Sequence, residues 1–297
     1  MAAKHTFKDW LIAVRPWSFP ASVMPLVTML DLFWVWGDIR WGYGVWALVN
    51  MILFHCAANT WSNWFDFRKK VDAEDTFGAK TITSGQFTPR EIRNLSLGLM
   101  LVSVAGGVSL LFLTGLPLLW IGIGGILCAL LYPPLKYAAA GDLVIFLAFG
   151  MFPAIGTSYV VLGHIDWSVL WVAVPVGLIT VAILHINNLR DIRTDSRAGI
   201  STLAMHLGAK ASIRVYNFEV IFPFFWVFAC VIEKIFPWWS LLVFLAAFLA
   251  LLNVRTAIRY KREGMSAIVH LDEGTARLQV LFSLSMSVGF LVAALFR

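Results

Sequence analysis

The chain has 297 residues, of which 60% are hydrophobic and only 13% charged, with a formal charge of +6 and a mean hydropathy of +0.79. A soluble globule carries about 25% charged residues to solvate its surface, so a soluble domain is excluded. Apolar runs close to 20 residues long point instead to a multi-pass helical membrane protein.

Nine spans are expected, near residues 17–36, 44–62, 95–114, 117–135, 143–163, 167–187, 212–232, 237–254 and 277–296. Inside hydrocarbon every backbone polar group must find its partner within the segment, so runs of this length are helices and not barrel strands. The fold class is therefore all-α, a transmembrane bundle read as one domain over residues 1–297. Pro16, Pro20 and Pro25 enter the first span early and no small-residue cleavage site follows it. It reads as a retained span, not a removed signal. Trp36, Trp41, Trp120, Trp167, Trp171, Trp238 and Trp239 fall at predicted span ends, where amphipathic rings meet an interface.

The basic residues set the orientation. Of the 23 Lys and Arg, 20 fall in the N-terminal segment and in the loops after the even-numbered spans, leaving Arg40, Lys234 and Arg297 for the other face. The positive-inside rule places the first set, and the N-terminus, in the cytoplasm of a cell inner membrane. The net charge thus reports topology and anionic membrane lipid; no nucleic acid is expected as a partner, because no binding motif for one is present. Cys56, Cys128 and Cys230 lie inside spans without a C-x-x-C spacing, and they read as small buried hydrophobes.

Acidic residues are scarce, and they cluster. After span two comes "NTWSNWFDFRKKVDAED", with Asp66, Asp72, Glu74 and Asp75; after span six come Asp191 and Asp195. Four crossings separate these points, so both clusters emerge on one face. Asp66 and Asp191 are 125 positions apart, which suggests a loose parallel repeat. On a helix Asn187, Asp191 and Asp195 form one stripe, beside a second made by Arg190, Arg193 and Arg197. Neutralisation by those arginines in a solvated loop is one explanation.

Two such clusters on one face support another. Carboxylates with amide oxygens are hard ligands suited to Mg²⁺, which binds one or two carboxylates and completes its octahedron with water and substrate phosphate. Neighbouring Arg and Lys would hold the remaining phosphate oxygens. The pattern reads as a diphosphate site at the cytoplasmic mouth of a bundle, with a cavity behind it for an apolar tail. His55 and His185 lie within spans and are expected to be buried and hydrogen-bonded.

Four segments in order resemble the UbiA superfamily of intramembrane prenyltransferases. "NNLRDIRTDSRAGISTLAMHLG" resembles the second aspartate motif of its 1,4-dihydroxy-2-naphthoate branch (MenA). "LYPPLKYAAAGDLVIFLAFG" resembles the Tyr-x-x-x-Lys segment, here Tyr132 and Lys136, followed by a Gly-Asp pair, Gly141 and Asp142. "VRPWSFPASVMP" is similar to the Arg-Pro opening, with Arg15, and "ITSGQFTPREI" to the end of the second-to-third loop. The first motif departs, with Ser62 and Asn63 where Asn-Asp is usual; Ser201 stands where that branch usually has a basic residue.

The resemblance implies nine helices, Mg²⁺, a polyprenyl diphosphate donor and an aromatic acceptor. Asp66, Asp72, Asp191 and Asp195 are expected to hold metal and, with Lys136, to serve catalysis; Asn63 and Asn187 would help as ligands. Arg15, Asn59, Asn63, Lys80, Tyr132, Lys136, Asn187 and Asn188 are expected to contact substrate. The implied reaction moves a polyprenyl group onto 1,4-dihydroxy-2-naphthoate with loss of CO₂ and pyrophosphate, a step of menaquinone biosynthesis. Other acceptors in the family would be 4-hydroxybenzoate, homogentisate or a glycerophosphate lipid. A secondary transporter of an anionic solute would also place polar groups beside spans and show repeats, but nearer the bilayer midplane than these span ends.

Overall fold

A computed structural model describes residues 5–37, 39–71 and 80–296. Among them the chain is helical with no strand. Eight helical segments are long and apolar enough to cross a membrane, and a ninth if Phe7–Ser18 and Pro20–Trp36, bent by 58°, count as one span.

The expected first span, near 17–36, is the second arm of that bend. Helix α1 (Phe7–Val14) is closed at its start by a Thr6–Asp9 capping box, and α2 (Pro20–Trp36) begins after a short 3₁₀ turn at Pro16–Ser18. Between them Arg15 has φ 59°. A residue before proline is disfavoured in the right-handed helical region, so the Arg15-Pro16 pair forces a corner just ahead of the expected span.

Helix α3 (Trp41–Arg68) runs past the expected end at 62, so Asp66 sits on its last turns and not in a loop. Helices α4 (Pro89–Thr114) and α5 (Pro117–Lys136) follow. The fifth span, Gly141–Leu162, is α6 (Gly141–Phe146), a π turn at Leu147–Met151 and α7 (Phe152–Leu162). Pro153 has no amide to donate to the preceding turn, a common cause of such a widening.

Helix α8 (Leu170–Arg190) is apolar on all sides, and 67% of its membrane window is buried, against 11% for α4 and α5. A helix without a polar face is stable only in a bundle interior or in lipid; α8 takes the interior. Met29, Phe33, Val176, Ile179, Tyr216, Phe282 and Met286 form the main core around it. They come from α2, α8, α10 (Leu203–Ile232) and α12 (Leu271–Leu295). Between these last two, α11 (Ala247–Glu263) is flanked by 3₁₀ turns, and the short α9 (Ile192–Arg197) follows α8. Leu101, Phe112, Phe225 and Phe248 are more than half exposed on the outer surface, as lipid-facing side chains are, and Trp41, Trp120, Trp167 and Trp238 are exposed at helix ends.

Candidate active site

Asn59, Asn63 and Asp66 share one face of α3, spaced by four and three residues. Asn63 is buried, and its Nδ2 donates to Thr81 Oγ1 at 2.6 Å. This bond leaves its Oδ1, the atom of the amide that can serve as a hard ligand, outside the contact. Thr81 belongs to a loop held by Ile82 and Phe87, which pack with Ala13 and Ile92 in a small second core that Trp10, Trp64 and Phe67 flank. The amide of Asn59 donates to Val14 O (3.0 Å) and Ser18 Oγ (2.9 Å), so Asn59 fixes the corner that carries Arg15. Arg15 Nε is buried with no partner, and its charge is felt at Tyr132 and His55. A buried guanidinium donor left open in this way is suited to an anion.

The second cluster keeps its expected stripe although the helix is interrupted at Asp191. Asp191 is the hinge between α8 and α9. Asp191 N donates to Asn187 O (2.8 Å) and Asp195 N to Asp191 O (2.9 Å), so the four-residue ladder continues across it. The arginine neutralisation considered from sequence is seen at Arg190. Arg190 grips Asp191 through Nε and Nη2 (2.8 and 2.9 Å) and reaches Asp272 Oδ2 (2.9 Å) with Nη1. Asp195 is 5% exposed, and its Oδ2, like Asn187 Oδ1, is buried without a partner. Burial pushes the Asp195 carboxyl up to about 6; Lys136 opposes this, while Asp191 and Asp66 add to it.

Lys136 joins the two halves. Its ammonium stands in the field of Tyr132, Asp66, Asp195 and Asp191, which come from three separate stretches of chain. The segment after α5 is pinned by Ser201 N, which donates to Tyr137 O at 3.2 Å beside a parallel bridge from Ala138 to Ser201. Tyr137, which the sequence reading passed over, donates its hydroxyl to Asp66 Oδ1. Gly141 allows the next helix to start directly against α5: a Cβ there would meet Lys136 Cα at 3.2 Å.

Asn188 faces the other way from Asn187. Its Nδ2 donates to Asp142 Oδ1 (3.3 Å), and Asp142 Oδ2 pairs with His185 Nδ1 (2.6 Å). Among the described residues Asp142, His185 and Glu219 are the one His and carboxylate set whose ligand atoms all lie within 4.8 Å of one another. All three are buried, so this set forms a polar layer behind the aspartates. They come from three separate helices, α6, α8 and α10, so no local pattern in the sequence groups them. His55, also buried, pairs with Ser22 Oγ (2.8 Å) and Ser18 Oγ (3.3 Å) and stands edge-on to Phe149. Both intramembrane histidines are thus buried and hydrogen-bonded, as expected.

The donors fit a hard divalent cation. Two orphaned buried oxygens, Asn187 Oδ1 and Asp195 Oδ2, lie on the stripe with Asp191. A buried oxygen without a donor is costly unless something positive reaches it. Lys80 is exposed at the start of the Thr81 loop. Asp72, and with it Glu74 and Asp75, lies outside the described residues.

The UbiA prenyltransferase family model matches residues 22–295. The Drosophila melanogaster "UbiA prenyltransferase domain-containing protein 1 homolog" is 34% identical over 227 residues, covering 73% of this chain and 63% of that protein, less than two thirds of its length. The Xenopus tropicalis "UbiA prenyltransferase domain-containing protein 1" is 29% identical over 298 residues, covering 98% of this chain and 84% of the relative. These relatives' names carry the family and no acceptor.

Among solved structures, a digeranylgeranylglyceryl phosphate synthase has a TM-score of 0.67 at 17% identity, covering 96% of this chain and 98% of its own. An Archaeoglobus fulgidus UbiA homolog bound to GPP and Mg²⁺ has a TM-score of 0.64 at 12% identity, covering 96% and 99%. The structures share the all-helical membrane fold, and the family match carries the enzyme class: the chain belongs to the UbiA prenyltransferase family.

Proposed function

We propose that this prenyltransferase moves a polyprenyl group from polyprenyl diphosphate onto 1,4-dihydroxy-2-naphthoate, with pyrophosphate and CO₂ as the other products. The observation that carries the diphosphate half is the pair of orphaned oxygens at Asn187 and Asp195 beside Lys136. The acceptor half rests on the motif resemblance to the naphthoate branch. Asp66, Asn63, Asp191, Asp195 and Asn187 would hold Mg²⁺, with Asp72 from the loop, and the bound ion would neutralise charge on the departing pyrophosphate.

Lys136 and Arg15 would bind the phosphate oxygens that remain, with Tyr132 and Lys80 beside them, stabilising the charge that builds as the allylic C–O bond breaks. Tyr137 holds Asp66 in place. An apolar surround within the membrane would exclude water, which would otherwise capture the allylic cation. Attack by the ring carbon then forms the C–C bond, and loss of the carboxylate as CO₂ restores the aromatic ring. The basic face, with these residues, would lie toward the cytoplasm of the inner membrane.

The test is acceptor discrimination. Purified protein is given Mg²⁺, labelled polyprenyl diphosphate and, separately, 1,4-dihydroxy-2-naphthoate, 4-hydroxybenzoate, homogentisate or a glycerophosphate lipid. The expected product is a prenylated naphthoquinol lacking the carboxylate. Prenylation of another acceptor but not the naphthoate would contradict the acceptor assignment and leave the family chemistry standing.

A further inference from the structure

On the basic face, outside the aspartate site, an open cavity of about 550 Å³ lies between the end of α3 and the start of α4. Among the described residues it is lined by Trp64, Arg68, Pro89, Arg90 and Arg93, three arginines and no carboxylate. Arg68 lies over the Trp64 ring at 5.2 Å, and Arg93 donates to the neutral Asn94. The closest acid in sequence, Glu91, is engaged by Thr88 in its capping box and by His5. No ion pair joins a described carboxylate to any of the three.

The cavity opens onto a hydrophobic track. On α4 Arg90, Arg93, Leu97 and Leu101 fall at spacings of three and four, so they share a face. Leu97 is 51% exposed and Leu101 71%. Positive charge at the membrane boundary therefore continues into exposed leucines one and two turns deeper. A soluble anion would use only the first part of this surface; a lipid would use both.

We infer that this cavity binds the phosphate headgroup of an anionic phospholipid from the leaflet on the basic face, with an acyl chain along Leu97 and Leu101. Trp64 stands at the boundary where its ring meets headgroups. The site adjoins the catalytic region through α3, since Arg68 is half a turn beyond Asp66. It needs none of the residues assigned to diphosphate.

Native mass spectrometry of the full-length protein, purified in mild detergent and given equal phosphatidylglycerol and phosphatidylcholine, tests this. Wild type should retain phosphatidylglycerol preferentially. Each of R68Q, R90Q and R93Q should weaken that preference about fivefold, and R90K should keep most of it. Equal retention of the two lipids, or an unchanged preference in R68Q/R90Q/R93Q, would overturn the inference. So would displacement of the lipid by an equal concentration of inorganic phosphate or glycerol 3-phosphate, which would assign the cavity to a soluble anion. The single variants keep the test valid if the triple variant does not fold.

Discussion

Tyr137 donates its hydroxyl to Asp66, tying the loop after α5 to the last turns of α3 across 71 positions of sequence. The same loop is bonded at Tyr137 O to Ser201, beyond the second aspartate cluster. One residue thereby fixes the spacing between the two halves of the site.

Tyr137→Phe removes that donor and leaves the ring packed against Phe65. A hydrogen bond to a charged group contributes about 1.5–3 kcal/mol, so turnover should fall at least tenfold with a raised Mg²⁺ requirement. Thermal stability should change little. Steady-state kinetics with a Mg²⁺ titration would check this, and an unchanged Mg²⁺ dependence would separate Tyr137 from metal binding.

Asn63→Asp restores the carboxylate usual at this place in the family motif. Thr81 can reverse its role and donate to the new oxygen at the same contact, 2.6 Å in the native pair. The concentration of Mg²⁺ for half-maximal activity should drop severalfold, as a further negative ligand predicts. A rise would show that the native amide bond to Thr81 outweighs the added charge.

Asp195 gives the site a pH dependence. Its carboxyl is raised from 3.8 to about 6, mainly by burial. Below that pH it keeps a proton that the cation must displace, so the Mg²⁺ requirement should rise about tenfold per pH unit under 6 and level off above. In the metal-free fold a raised acid contributes stability below its unfolded value and loses it as pH climbs through 6. Added Mg²⁺ should therefore raise Tm more at pH 7 than at pH 5.

Gly289 lies where α12 passes the start of the 3₁₀ turn at Trp238–Ala246. A Cβ there would sit 2.5 Å from Trp239 O and 2.8 Å from its carbonyl carbon, both backbone atoms. Gly289→Ala should destabilise the fold by about 1–3 kcal/mol, seen as a lower Tm, although it is far in sequence from every aspartate of the site.

The long apolar runs made the spans legible, and the even number of crossings between Asp66 and Asp191 put both clusters on one face. The Asn187–Asp191–Asp195 stripe was readable because local spacing survives the hinge at Asp191. What escaped depends on contacts that no local pattern encodes. Tyr137 follows Lys136 directly, yet its partner is 71 positions away. Asp272, which shares Arg190 with Asp191, and Glu219, which meets Asp142 and His185, arrive from other helices. The corner at Arg15 is signalled by the proline after it, whereas the short helix Phe7–Val14 lies ahead of the expected span and carries too few apolar residues to be read as one.

Pyrophosphate release by the purified protein tests the central claim most directly. With Mg²⁺, polyprenyl diphosphate and 1,4-dihydroxy-2-naphthoate, release should depend on all three. It should fall at least a hundredfold in Asp191→Asn and Asp195→Asn variants that keep the wild-type fold. Release at the wild-type rate in those variants, or none with any acceptor in the panel, would contradict the account.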